Sequence, residues 1–455
     1  MQQKPQKFTD SPGAARLISQ LSDAFAVVEN PPYVFPPYDV YAMAAPRTHL
    51  EDGLAAAVMD MDGTTTTTEV LCTGALETMM RRLCGLDDRP ETPILDHGRD
   101  YPHIIGNSTT KHVQYLVNTY RNGFAADAVC RHFIASCAWT LANALDARRA
   151  REAENALQVQ GLGEALQNPV FQAHCARLKA GAAYNAQTVA PLAAQYQHFL
   201  RMESVADLTR IGIEVYYQQY HESLKAIAGG ATTHGPVRRR PIEPMPGVGV
   251  ALALLKGWLR EDAARLGDLL AAHLRATTGA DEADITAGLA RLPRLGAYCA
   301  ARPVKLGLVT SSIAAEADIV LDEVFRVIRD EIAGWPLPGE RRSALLAHFR
   351  EPGNVYDARI TASDSSEIRL KPHRDLYAIA LHAMGIAPDM FHRVAGFEDS
   401  ESGAIAIRAA GISLCCALPF AMTQNHQFAA ATHVCRGGMP EVVLLKSFFL
   451  DDALF

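Results

Sequence analysis

The segment Leu54-Ala-Ala-Ala-Val-Met-Asp-Met-Asp-Gly-Thr64 is the stretch that decides the fold. Its apolar run ends at two aspartates one residue apart, a pattern typical of a short buried strand of a parallel sheet followed by an acidic turn. In open α/β sheets the loops at the carboxyl ends of the strands form the ligand site, so we expect Asp60 and Asp62 to lie there. Two carboxylates on one buried turn are costly unless they are paired or bind a metal.

Polar side chains follow two further predicted strands and one predicted loop. The stretch KLGLVTSS at 305–312 ends in three hydroxyl side chains, and HRVAGFEDS at 392–400 ends in two acids and a serine. Lys371 precedes a proline and an amphipathic helix predicted over 374–386. Apolar strands that alternate with helices favour the α/β class, with a doubly wound, Rossmann-like parallel sheet as the core.

The composition excludes several classes of protein. The chain has 455 residues, 49% of them hydrophobic and 20% charged, with a net charge of −7, so it is globular and has no general attraction to nucleic acid or anionic membranes. No apolar run reaches the roughly 18 residues of a membrane helix. The N-terminus shows no apolar signal core, and the nine cysteines include no CxxC pair, so we expect a cytoplasmic protein with reduced thiols.

The chain divides into three predicted parts. At the N-terminus, Ser11 and Pro12 suit the start of a helix over 11–30, and the Pro- and Tyr-rich residues that follow predict an extended arm lying on a surface. The predicted parts are an N-terminal helix and arm at 1–50, an α/β core at 51–70 plus 241–455 with helical insertions at about 257–292 and 322–350, and an all-helical cap at 71–240.

This ordered set of motifs resembles the haloacid-dehalogenase-like (HAD) superfamily of hydrolases. The first motif of that family, DxDGT after an apolar run, matches Asp60–Thr64, and the second, a strand that ends in Thr or Ser, matches Thr310. The third motif, a lysine before proline and a helix, matches Lys371. The fourth, an acidic pair followed by Ser-x-x-Gly, matches Glu398–Gly403. Pro244–Val248 is similar to the usual return from a cap inserted after the first motif.

Within the superfamily the chain most resembles the β-phosphoglucomutase-like branch, which carries a helical cap. The segment 104–112 is similar to the cap loop that faces the active site in relatives, so the substrate candidates there are Asn107, Ser108, Lys111 and His112. Two positions depart from the pattern, since Thr65 replaces the usual Leu and Cys72 stands where mutases carry a His. The cap of about 170 residues is more than twice the usual size, so the resemblance does not carry the substrate.

The resemblance also implies roles for the core residues. Asp60 would attack phosphorus and form an aspartyl-phosphate, and Asp62 would act as general acid and then as general base. Thr310 would bind phosphoryl oxygens and Lys371 would neutralise developing charge. The other phosphate-binding candidates are Gly63, Thr64, Ser311 and Ser312. The implied cofactor is Mg²⁺, with ligands from Asp60, Asp399 and the backbone carbonyl of Asp62, and with Glu398 contacting it through water.

We therefore expect a Mg²⁺-dependent phosphatase that hydrolyses a small phosphorylated metabolite. One alternative is a phosphomutase, which would use the same core but return the phosphoryl group to the substrate; Cys72 argues mildly against it. A second is a non-catalytic binding or scaffold protein in which the large cap blocks or repurposes the pocket. A dehalogenase is disfavoured because that chemistry has no need of Asp62. The sequence does not indicate an oligomeric state.

Overall fold

The structure is a computed structural model that describes residues 8–30, 34–86, 92–106, 108–231, 240–365 and 369–455. Within these residues the chain forms two compact units. Unit 1 contains the residues up to Thr65 together with Pro244–Ser312 and Ile328–Phe455. Unit 2 contains Thr66–Glu243 and Ile313–Val327. The chain therefore leaves unit 1 for unit 2 twice, after Thr65 and after Ser312.

The strands of the described residues lie in unit 1, whereas helices occur in both units. The strands are β1 Phe25–Glu29, β2 Tyr38–Ala42, β3 Ala56–Asp60, β4 Lys305–Val309, β5 Ala358–Ile360, β6 Val394–Glu398, β7 Leu414–Ala417 and β8 His433–Val434. The helices are α1 Ser11–Ile18, α2 Glu69–Leu83, α3 Tyr101–Ile104, α4 Thr109–Tyr120, α5 Ala126–Asn143, α6 Ala147–Val159, α7 Pro169–Lys179, α8 Ala190–Tyr196, α9 Val205–Ala228, α10 Val248–Leu255, α11 Gly267–Thr277, α12 Glu282–Ala301, α13 Ala314–Gly334, α14 Gly339–His348, α15 Asp375–Ala383, α16 Glu401–Ala409 and α17 Gly438–Leu444.

Unit 1 is built on a parallel sheet whose six strands have the order β5-β4-β3-β6-β7-β8. The first of these strands in the chain, β3, lies in the middle. The chain adds β4 and β5 on one side of it, and then β6, β7 and β8 on the other. In open α/β sheets, a ligand crevice forms where the strand order reverses in this way, at the carboxyl ends of the central strands. The predicted α/β class with a parallel-sheet core is confirmed.

The register of the central strands aligns their carboxyl ends. All five residues of β3 are buried, as a strand with neighbours on both sides requires. Asp60 lies opposite Val309 of β4, and Met59 lies opposite Phe397 of β6. The residues that follow, Thr310 and Glu398, therefore emerge beside Asp60 at one edge of the sheet.

The N-terminal segment differs from the prediction of one helix over 11–30, which is wrong in its second half. Helix α1 ends at Ile18, and its N-cap is Asp10, whose carboxylate accepts from Gly13 N over 2.8 Å. Residues 25–29 instead form β1, which pairs with β2 as an antiparallel hairpin. The sequence Phe-Ala-Val-Val of β1 explains the difference, since aromatic and β-branched side chains favour strands over helices.

Unit 2 contains helices α2 to α9 and the first part of α13, with no strand among its described residues. It runs from Thr66 to Glu243, whereas the predicted cap spans 71–240, and it also includes Ile313–Val327, which the sequence places in the α/β core. Buried charge explains the inclusion, because Glu316 of α13 accepts a hydrogen bond from His221 of α9 over 2.7 Å. The domain boundaries drawn from the sequence otherwise stay a prediction.

Two further observations concern the helices and the cysteines. None of the helices in the described part of the chain is both long enough and apolar enough to cross a bilayer. The structure contains nine cysteines, and none of them is joined to another by a disulfide.

Candidate active site

Hydrogen bonds to the backbone hold the loop after β3 in place. Met61 N donates to Val309 O of the neighbouring strand over 3.0 Å. The Thr65 hydroxyl donates to the carbonyl oxygens of Asp60 and Met61, at 3.0 and 3.1 Å. These contacts fix the backbone from which the Asp60 carboxylate projects. The threonine that departs from the usual Leu therefore has a structural role in this loop.

Gly63 allows the loop after β3 to approach the loop after β6. Its φ of +82° is a conformation that residues with a Cβ rarely adopt. A Cβ atom at this position would also lie only 2.6 Å from Oδ2 of Asp399. The neighbouring Thr64 hydroxyl donates to the other oxygen of Asp399 over 3.3 Å. Gly63 and Thr64 thus join two motifs, and their predicted contact with phosphoryl oxygens stays a prediction.

Two hydroxyl side chains at the end of β4 orient Asp62. The Thr310 hydroxyl donates to Oδ2 of Asp62 over 2.7 Å, and the Ser312 hydroxyl lies 3.5 Å from the same oxygen. Ser312 N in turn donates to the Thr310 hydroxyl over 2.9 Å. In this structure Thr310 therefore orients the predicted acid, and its predicted binding of phosphoryl oxygens stays untested. The remaining candidate of this loop, Ser311, is exposed.

Lys371 brings its ammonium group to two of the acids. Its Nζ forms ion pairs with Asp60 and, over 2.9 Å, with Oε1 of Glu398. The Nζ also lies 5.5 Å from the centre of the Tyr377 ring, so the group is enclosed by aromatic and acidic neighbours. Burial alone would lower the pKa of Lys371, but the two carboxylates raise it well above its usual value. The lysine is therefore charged at neutral pH.

The glycine of the fourth motif makes room for Glu398. Oε2 of Glu398 accepts from Asp399 N over 2.8 Å, and Oε1 accepts from the Ser400 hydroxyl over 3.1 Å. Ser400 is also the N-cap of α16, where its hydroxyl accepts from Gly403 N over 3.2 Å. A Cβ on Gly403 would lie 1.4 Å from Oε1 of Glu398. The motif Glu-Asp-Ser-x-x-Gly therefore packs a buried carboxylate against the first turn of the helix.

The acids of the site form a cluster that suits a hard cation. Oxygen atoms of Asp60, Glu398 and Asp399 all lie within 4.8 Å of one another, and all three residues are buried. Burial and the neighbouring Glu398 raise the pKa of Asp60 well above its usual value, and Lys371 opposes this shift. Among the described residues, Lys371 pairs with two of these carboxylates, those of Asp60 and Glu398. A buried group of three carboxylates fits a divalent cation with oxygen ligands.

Asp62 and four residues of the cap were also predicted as site residues. The side chain of Asp62 is outside the acidic cluster; only its backbone carbonyl was predicted as a ligand, and that stays a prediction. Asn107 lies outside the described residues. The other cap candidates belong to unit 2, where Ser108 precedes α4 and Lys111 is exposed, whereas His112 is 5% exposed. Their predicted contact with substrate stays a prediction.

Sequence reasoning missed Phe420, which lies beside the first motif. A Cβ on Gly63 would be 2.9 Å from a ring carbon of Phe420. The residue follows β7, whose carboxyl end lies at the same edge of the sheet, because Glu398 pairs with Ala417. The apolar run ISLCCAL at 412–418 has the pattern of a buried strand, so the loop after it could have been included by the same rule that placed the other motifs.

Comparison with known proteins finds similarity only among solved structures. No protein-family model matches the sequence, and no curated protein matches it. One similar structure is CbbY from Rhodobacter sphaeroides in complex with phosphate, at 14% identity over 87% of this chain and 100% of that chain, with a TM-score of 0.40. Another is a HAD-superfamily hydrolase from Geobacter sulfurreducens, at 13% identity over 87% and 98%, with a TM-score of 0.31.

A third similar structure is β-phosphoglucomutase from Clostridium difficile, at 11% identity over 84% of this chain and 90% of that chain, with a TM-score of 0.29. The second of these proteins bears the name of the superfamily that the sequence motifs resemble, and the third bears the name of the branch. Because all three TM-scores lie below 0.5 and all three identities below 25%, the function proposed below is inferred from the geometry of this chain's own residues.

Proposed function

We propose that the protein is a Mg²⁺-dependent phosphatase that hydrolyses a small phosphorylated metabolite through an aspartyl-phosphate. The observation that carries the proposal is the meeting of four separate stretches of chain at one point. Asp60 lies within a buried acidic cluster with Glu398 and Asp399, and Lys371 contacts Asp60 and Glu398. Asp62 lies in the same loop as Asp60 and is oriented separately by Thr310.

Asp60 is the proposed nucleophile. One of its carboxylate oxygens attacks phosphorus in line, forming a phosphorus–oxygen bond as the bond to the leaving oxygen breaks. Asp62 gives its proton to that leaving oxygen, so the alcohol departs neutral. The products of this step are the free alcohol and phospho-Asp60. Lys371, already beside Asp60, compensates the charge that develops on the phosphoryl oxygens.

Asp62 then acts in the reverse sense. Its carboxylate takes a proton from water, and the water oxygen attacks phosphorus as the bond to Asp60 breaks. Inorganic phosphate leaves, Asp60 is again a carboxylate, and Asp62 is again protonated. The hydrogen bond from Thr310 keeps Asp62 at one position through both steps. This separation of tasks explains why the two aspartates have different neighbours: Lys371 for Asp60, hydroxyl groups for Asp62.

The acidic cluster requires positive charge before a phosphate can approach it. Asp60 and Asp399 would hold Mg²⁺ together with the backbone carbonyl of Asp62, and Glu398 would contact it through water. When bound, the cation screens the carboxylates from the phosphate and stabilises charge on the phosphoryl oxygens. It would also favour the ionised form of Asp60, whose pKa burial raises.

The remaining substrate contacts are those that the sequence motifs imply. Asn107, Ser108, Lys111 and His112 are the proposed contacts to the part of the metabolite beyond its phosphate, and Gly63, Thr64, Ser311 and Ser312 the proposed contacts to the phosphate itself. A cytoplasmic location suits the nine free thiols.

Replacement of Asp60 tests the proposal. We expect Asp60→Asn to lower the hydrolysis of p-nitrophenyl phosphate with Mg²⁺ by roughly 10³-fold or more, because the amide cannot attack phosphorus. The exposed Asp268→Asn is the matched control and should hydrolyse at the wild-type rate. If Asp60→Asn hydrolyses as fast as the control, Asp60 is not the nucleophile. Isomerisation of a phosphorylated sugar without phosphate release would instead indicate a phosphomutase.

A further inference from the structure

The N-terminal hairpin contacts the loop that carries Lys371. The Tyr41 hydroxyl, on β2, lies 2.8 Å from Nδ1 of His373, and the two rings meet edge to face with their centres 5.2 Å apart. His373 follows Lys371 by two residues. The contact joins residues 332 positions apart in the chain, so it depends on how the hairpin is placed on unit 1.

We propose that Tyr41 is a positioning residue for Lys371. By holding His373, its hydroxyl fixes the short loop that delivers the ammonium group to Asp60 and Glu398. This inference rests on the proposed function, because it assigns to the hairpin a part in the same phosphoryl-transfer site.

The described part of the loop also has contacts of its own. His373 N donates to Leu370 O over 2.9 Å, which closes a turn around Lys371. An ion pair of 2.7 Å joins Arg369 to Asp375 across the base of the loop, but the arginine side chain is 51% exposed, so the pair contributes little. A lysine ammonium sits on a flexible four-carbon stem, so its position depends on its backbone. The Tyr41 hydroxyl is a well-placed additional restraint.

The hairpin itself is anchored close to Tyr41. A two-stranded hairpin is marginally stable by itself, so an anchor is needed for it to position anything. Directly after β2, Met43 is buried and Ala44 N donates to Arg408 O over 2.9 Å. The Arg408 guanidinium donates back to the Ala44 carbonyl. Arg408 lies on α16, the helix that begins within the fourth motif, so the strand that carries Tyr41 is tied to the body of unit 1.

The Tyr41 hydroxyl can form a hydrogen bond with His373 either as donor or as acceptor. Oδ2 of Asp39 lies 3.3 Å from the Tyr41 oxygen, on the side of the hairpin. Burial and Asp39 raise the pKa of Tyr41 to about 12, so the hydroxyl keeps its proton at neutral pH. It can donate to His373, or donate to Asp39 while it accepts from the ring N–H. A hydrogen bond to His373 therefore exists in either tautomer of the imidazole.

The test compares Tyr41→Phe with Tyr38→Phe. The first variant removes only the hydroxyl and keeps the ring contact. The second removes a hydroxyl from the same strand at a residue that is 52% exposed. For Tyr41→Phe we expect kcat for p-nitrophenyl phosphate to fall roughly fivefold, as for the loss of one positioning hydrogen bond, with KM and the melting temperature close to wild type. Hydrogen exchange of the peptide 369–375 should become faster. Tyr38→Phe should match wild type in every measurement.

Two results would overturn the inference: Tyr41→Phe with wild-type kcat and wild-type exchange at 369–375, or a loss of kcat that follows a lowered melting temperature, which would mean a merely structural role. If the wild-type protein does not hydrolyse the phosphate ester, the proposed function fails. The exchange measurement then decides whether Tyr41 restrains the loop.

Discussion

Buried charged side chains are arranged differently in the two units of the molecule. In unit 2, Arg149 donates to Glu214 over 2.7 Å, and both side chains are almost fully buried. The buried His221 and Glu316 form a second pair, also at 2.7 Å. Both carboxylates face a basic side chain, and Arg149 also pairs with Glu152 over 2.7 Å. In unit 1, three buried carboxylates lie together at the edge of the sheet, and two of them share Lys371.

This difference indicates two roles for buried charge, one in the stability of the fold and one in cation binding and catalysis. A matched pair in a protein interior repays its desolvation through its own attraction and hydrogen bonds. Three buried carboxylates that lie together repel one another, and a bound cation would offset that repulsion. The helical pairs should therefore matter for stability alone, whereas changes to the acidic cluster should act first on cation binding and catalysis.

The largest effect is expected for Lys371→Ala. It leaves Asp60 and Glu398 without their shared ammonium group, so activity should fall by roughly 10³-fold and the free energy of unfolding by about 3 kcal/mol. The control is Lys256→Ala, which breaks a partly exposed ion pair with Asp357 at 3.0 Å and should cost about 1 kcal/mol or less, without loss of activity. Urea unfolding and phosphate release measure both. Equal effects of the two variants would contradict the contrast.

A smaller effect on catalysis is expected for Gly403→Ala. The new methyl group would occupy the space of the Glu398 carboxylate, 1.4 Å from Oε1, so that carboxylate must move away from Lys371. We expect hydrolysis to fall by roughly 10²-fold. Gly353→Ala adds the same methyl group where no atom lies within 4 Å, and it should leave activity unchanged. Wild-type activity of Gly403→Ala would show that Glu398 is not needed at its observed position.

The smallest effect on catalysis is expected in the helical unit. Glu214→Gln removes the charge that faces Arg149, so the melting temperature should fall by roughly 5 °C. Because this pair is structural, kcat measured well below the melting temperature should stay within twofold of wild type. Calorimetric melting and steady-state kinetics check the two parts. A large loss of kcat without any change in melting temperature would assign Glu214 to the site.

The strand-end residues could be predicted from the sequence because parallel strands put their carboxyl ends at one edge. The aspartates of the first loop, Thr310 and Glu398 each follow an apolar run, and the register of β3 with its neighbours does bring them together. Lys371 comes from a loop rather than a strand end, and its position was expected from the family motif alone.

Other features depend on side chains that are distant in sequence and could not be read from local patterns. Residues 25–29 were predicted as helix because the start signals at Ser11 were extended too far, and the partner strand β2 decides their conformation. The place of Ile313–Val327 in unit 2 follows from the pairing of Glu316 with His221, 95 residues apart. The contact between Tyr41 and His373 also joins residues that are distant in the sequence, so local patterns could not predict it.

The most direct measurement of the central claim is Mg²⁺ binding by isothermal titration calorimetry. The wild-type protein should bind one Mg²⁺ per chain, and the exposed control Asp268→Asn should bind it equally well. Asp399→Asn, which keeps an oxygen to accept from Thr64, should stay folded and bind Mg²⁺ at least tenfold more weakly, because it removes one charge from the cluster. No binding by the wild-type protein, or equal binding by Asp399→Asn, would contradict the claim that Asp60, Glu398 and Asp399 hold a cation beside the nucleophile.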